Sequence, residues 1–119
     1  MSGVGRVRGE VVLMARYVSS LFINTANPSD VVKFYEWVKE WINAVAIKMK
    51  SKRLVLGIHH FRYWLYHRKR VVIDNLKGRW FWQYAVIAAK EVTADNGIGF
   101  KMDEDRGKKV IILYRKEHR

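Results

Sequence analysis

Residues 97–114 read GIGFKMDEDRGKKVIILY. Residues 99–102 and 109–114 are runs suited to two strands, residues 103–108 join them, and Gly107 supplies the backbone freedom of a turn. The stretch therefore reads as a β-hairpin. Gly97 suits the left-handed residue that follows a helix, and a helix lies directly upstream. Phe81, Ala85, Ala88 and Val92 make one apolar row there, widened by Trp80, Tyr84 and Ile87. Arg79, Gln83, Val86 and Lys90 lie on the opposite side, with Trp82 beside them. A helix that delivers its chain straight into a hairpin makes the fold mainly α with a C-terminal β-hairpin, an α+β class.

Upstream of this unit, Asp74 or Asn75 can cap the last helix, and Gly78 near its start weakens it. Val71, Val72 and Ile73 form a β-branched triplet suited to a short strand or an extended connector. Leu54, Ile58, Phe61 and Leu65 keep helical spacing to about His67. They follow a charged break at Lys48, Lys50, Lys52 and Arg53. The only proline, Pro28, stands between Asn27 and Asp30, the pattern of N-cap, first helical position and acidic first turn. Val31, Phe34, Val38, Trp41, Val45 and Met49 then repeat at steps of three and four, which predicts a long amphipathic helix. At the N-terminus, Val4, Val7, Val11, Met14, Val18 and Leu21 show the same alternation, predicting a helix over about residues 9–22. Residues 1–24 thus read as a separate helix with Val11, Met14, Val18 and Leu21 as a candidate homodimer seam, and residues 25–119 as one domain.

In the C-terminal half, the order of helices, last helix, glycine and two-stranded hairpin resembles a winged helix-turn-helix domain, over about the last 70 residues, or about the last 90 if the Pro28 helix is its first. The residues that carry the likeness are 79–92 as the recognition helix and 97–114 as the wing. The resemblance implies a last helix in the major groove of double-stranded DNA, a wing beside the backbone, and a role in transcription regulation. Arg79 and Gln83, one turn apart, would read guanine or adenine edges. Arg68, Lys69, Arg70 and Lys77 would hold phosphates near the helix start, joined by Lys108 and Lys109 from the hairpin, while Trp82 would lie beside Arg79. Asp103, Glu104 and Asp105 are expected at the hairpin tip, where they would be repelled by DNA.

Charge supports a polyanionic partner without reference to any family. The 119 residues hold 23 Lys and Arg against 11 Asp and Glu, a formal charge of +12. Between Lys48 and Arg79 there are ten cations and one acid, Asp74, so +9 falls in about a quarter of the chain. A second reading of the same composition is a binder of single-stranded DNA or RNA, with Tyr63, Trp64, Tyr66, Trp80 and Trp82 stacking on bases among Arg62, Arg68 and Arg79.

Chemistry finds little footing. With no cysteine, disulfides, thiolate metal sites and cysteine nucleophiles are excluded. His59 and His60 are neighbours and His67 lies two turns from His60, so neither pair has the one-turn spacing of a helical metal site. A nuclease or replication initiator would have to draw on these histidines or on Asp74, Glu91 and the Asp103–Asp105 acids, and nothing in the sequence brings those groups together. No phosphate-binding glycine motif occurs. The expectation is a non-enzymatic protein without metal or cofactor. Residues 11–23 are too short for a bilayer span and are interrupted by Arg16, so a cytoplasmic protein without a membrane partner is expected.

Overall fold

The computed structural model describes residues 17–116. They form β1 (Ser19–Leu21), α1 (Pro28–Lys48), β2 (Arg53–Leu56), α2 (Ile58–Lys69), β3 (Val71–Ile73), α3 (Gly78–Asn96), β4 (Ile98–Asp105) and β5 (Lys108–Arg115). The protein is an α+β fold of three helices with a C-terminal antiparallel sheet in the order β2-β5-β4. A separate two-stranded parallel pair joins β1 to β3.

α1 starts as its sequence requires. The Asn27 side chain accepts from the backbone N–H groups of Ser29 and Asp30, Pro28 occupies the first turn, and Asp30 meets the positive end of the helix dipole. Phe34, Val38, Trp41 and Ile42 are its buried stripe. On α3 the facing residues include Ala85, Ala88 and Ala89, all fully buried, and these small side chains let the two helices approach closely. Along the seam, Lys39 Nζ lies 2.8 Å from Glu91 Oε2 and Tyr35 Oη donates to Glu91 Oε1 at 2.7 Å. Nearer the C-terminal ends of both helices, Asn96 donates to Asn43 Oδ1 at 3.3 Å. Phe34 is the hub: Trp80, Phe61, Tyr84 and Phe81 meet it edge-on with centroids 4.9, 5.8, 5.8 and 6.2 Å away.

The hairpin is longer than the sequence suggests. β4 continues through Asp103, Glu104 and Asp105, which oppose Val110, Lys109 and Lys108 in register. The turn is therefore only Arg106 and Gly107, both with positive φ (54° and 78°), as a two-residue type I′ turn demands. The acids are not the tip; Arg106 is. Gly97 takes the left-handed C-cap position after α3 (φ 65°), as anticipated.

Three elements differ from the sequence reading for one reason, non-local pairing. Leu54 opens no helix; it sits in β2, paired with Leu113 while Leu56 pairs with Ile111. Those two leucines alternate with Arg53 and Val55, so period-two burial against β5 prevails over a helical spacing that the same leucine also satisfied. Residues 19–21 likewise belong to β1, paired with Val71, Val72 and Ile73, and Leu21 packs half-buried against the core of its own chain. Of the other proposed seam residues, Val18 is half-buried, and Val11 and Met14, with the rest of the expected N-terminal helix, lie outside the described residues. Finally, Asn75 does not cap α3, whose N-cap is Lys77. Its side chain accepts from Ile23 N–H at 2.9 Å and donates to Ile23 C=O at 2.7 Å, locking the two-stranded pair.

Candidate nucleic-acid interface

α3 presents one polar face. Arg79, Gln83 and Lys90 are exposed, Val86 is half-buried between them, and Phe81, Ala85, Ala88 and Val92 are buried behind. Lys77 precedes the first turn and is exposed. No acid occupies the first turn of α3, so its N-terminal N–H groups and the Lys77 and Arg79 side chains all present positive charge at one end. That combination can receive a phosphate while Arg79 and Gln83 reach base edges one turn apart.

Trp82 is not part of this surface. It is 8% exposed, its indole meets Phe81 edge-on at 4.8 Å, and a Cβ at Gly78 would lie 3.2 Å from its Nε1. The glycine that weakens the helix start is thus the one that admits the indole. Trp80 is held by a bond from Nε1 to the Asn75 carbonyl, 3.1 Å, and Trp64 packs in parallel on Phe61 at 6.2 Å. Both are half-buried parts of the core. That packing leaves only part of each ring exposed.

The three consecutive cations at the end of α2 diverge. Arg68 is exposed. Lys69 turns toward α1, 3.1 Å from Glu40 and 5.9 Å above the Trp64 ring, so its charge is already partnered. Arg70 takes a left-handed backbone (φ 55°, ψ 45°) as the C-cap of α2, and its guanidinium lies 5.8 Å over the Tyr66 ring. A continuous basic run in sequence is therefore a dispersed one in space, because successive helical residues are rotated by about 100°.

Lys108 and Lys109 instead meet the start of α2. A cleft of about 400 Å³ lies between the hairpin and Gly57, lined also by His59, His60, Asp105 and Arg106. His60 Nδ1 accepts the Gly57 N–H at 2.9 Å, which caps the helix from its third position. Partial burial, reinforced by the neighbouring His59 ring 3.9 Å away, holds the His60 pKa below that of an ordinary histidine. Its neutral form is the one able to accept that bond. Arg79 and Gln83 do not line this cleft.

Arg106 is the cation that sequence reasoning missed. Arg-Gly is not one of the pairs that mark a two-residue hairpin turn, and the turn is fixed at Arg106 and Gly107 by the pairing of Asp105 with Lys108. Among the described residues no group of three His, Asp or Glu side chains is placed to hold a metal ion, and no helix is long and apolar enough to cross a membrane. The chain matches no protein-family model, no curated protein and no solved structure.

Proposed function

We propose that this protein is a small winged helix-turn-helix DNA-binding protein, acting as a transcriptional regulator, that sets α3 in the major groove and the β4–β5 hairpin along the backbone. The observation that carries the reading is connectivity: α1, β2, α2, α3 and a hairpin follow in order, with the short β3 between α2 and α3 pairing with β1, and β2 closes the sheet against β5 in the order β2-β5-β4. In a winged helix the last helix feeds the wing directly, as α3 does through Gly97. The exposed Lys77, Arg79, Gln83 and Lys90 supply the cationic and hydrogen-bonding groups such docking needs, and Arg106 adds a cation at the hairpin turn, where Lys108 and Lys109 stand opposite Asp105 and Glu104.

The test is fluorescence anisotropy on duplexes selected from a randomised pool, measured across a salt series. Affinity for the selected duplex should fall linearly on logarithmic axes as salt rises. Arg79→Ala should cost about 1–3 kcal/mol of discrimination against a changed base pair. Lys77→Ala should weaken all sequences alike and lower the salt slope by about one. Equal affinity for every duplex sequence, in the parent and in Arg79→Ala alike, would remove α3 as a reading helix.

A further inference from the structure

The exposed face of α2 is a separate feature that reading of a duplex by α3 leaves unused. Tyr63 and Tyr66 are 68% and 40% exposed, unusual for rings on a helix whose other aromatics, Phe61 and Trp64, are packed inward. His67 links them. Its ring centroid is 4.1 Å from Tyr63 and 5.1 Å from Tyr66, and Arg70 caps the row over Tyr66. Beside this row runs a groove of about 320 Å³, floored by Leu65, Val71 and Leu76 and edged by Arg62 and Val72. The Arg62 guanidinium is fixed there by donating to the Leu76 carbonyl.

We propose that this face of α2 is a stacking site for unpaired nucleobases of a single-stranded nucleic acid, with Tyr63 and Tyr66 as platforms and Arg62 and Arg70 as phosphate partners. Charge decides the occupant. α2 and its C-cap carry Arg62, Arg68, Lys69 and Arg70 and no acid, and no carboxylate lines the groove. A second copy docked on the same face would bring two sets of Arg62, Arg68 and Arg70 together, only Lys69 being partnered among the described residues, by Glu40. A base presents an apolar π-face to the rings and an anionic backbone to the arginines, which matches both halves of the surface. A stretch of duplex has its π-faces covered by stacking, so the two faces of the protein address different forms of nucleic acid. The assignment does not rest on the α3 reading.

Two labelled probes separate the sites: an oligo-dT strand and a duplex of equal length, at one salt concentration. Tyr63→Ala and Tyr66→Ala, both at exposed positions, should each weaken oligo-dT binding between about fivefold and a hundredfold. Duplex affinity should change less than about twofold, and Tyr63→Phe should retain the parental strand affinity because the ring face remains. A strand bearing 5-iodouracil should photocrosslink to Tyr63 or Tyr66. Arg79→Ala should leave oligo-dT binding intact, so a parent that binds the strand and not the duplex defeats the α3 reading alone. The stacking site is overturned if the parent fails to bind oligo-dT or if the alanine variants lose strand and duplex equally. It is also overturned by crosslinks confined to other elements, or by a dimer in sedimentation that Tyr63→Ala dissociates.

Discussion

Arg70 and Arg106 are the two non-glycine residues with positive φ among those described. An L-residue in the left-handed region costs roughly 1–2 kcal/mol relative to a right-handed one, and glycine would avoid that at either place. Both positions instead carry a guanidinium, one at the end of α2 and one at the turn between β4 and β5. Arg106→Asn, which creates the Asn-Gly pair preferred in this turn, should raise the denaturant midpoint by the equivalent of about 1 kcal/mol while weakening duplex binding. Arg70→Gly should do the same for stability and weaken oligo-dT binding. Urea titration with anisotropy on the same samples checks both, and a lower midpoint in either variant would mean that the position it alters holds no strain. Asn27 and Gly97 were legible in the sequence because a cap is a local event, decided by residues within one turn. Arg106 was not, since the register of β4 against β5 imposes its conformation, and register is a property of two strands together.

At the scale of elements, α1 and α3 could be read because each carries a complete period-3.6 stripe. β2 could not, because four residues support either periodicity and its partner lies some sixty positions away. The β4–β5 pairing also holds a detail that side-chain identity alone hides. Gly99 faces Tyr114 across the ladder, and the Tyr114 ring lies over the glycine where a Cβ would stand. An aromatic ring covering a strand glycine restores the packing that the missing side chain forfeits. Gly99→Ala should therefore destabilise the protein by about 1–3 kcal/mol through overpacking. Tyr114→Ala should cost about as much through lost cover, and the double variant should cost clearly less than the sum. A thermal-denaturation double-mutant cycle that comes out additive would show the two residues to be independent. The candidate site was half legible for the same reason as the fold. Arg79 and Gln83 share a face by helical geometry alone, whereas the burial of Trp82 in the common core and the diversion of Lys69 to Glu40 of α1 depend on tertiary packing.

Over the whole molecule, the ten cations of residues 48–79 divide among three places: Lys48, Lys50, Lys52 and Arg53 from the end of α1 to the start of β2, Arg62, Arg68, Lys69 and Arg70 on α2 and its C-cap, and Lys77 and Arg79 at the head of α3. The cations of the hairpin lie outside that stretch. The core beneath them is a single cluster that includes residues from α1, α2, α3 and the sheet, so the surfaces are held in fixed relation by shared packing. The β1–β3 pair stands apart from that core in one respect: Asn75 bonds Ile23 across a separation of 52 residues, closing a loop that contains α1, β2 and α2. Bringing such distant segments together repays its entropy only once the intervening helices have docked. The clip is then expected to form late in folding, after the transition state. Asn75→Ala, which removes two hydrogen bonds of about 1 kcal/mol each, should speed unfolding by roughly 5- to 30-fold and leave the refolding rate unchanged. Stopped-flow chevrons measure both arms, and slowed refolding would place the clip in the nucleus. The clip is in that sense a latch on the lifetime of the native state, set at a point from which it has no part in how fast that state is reached.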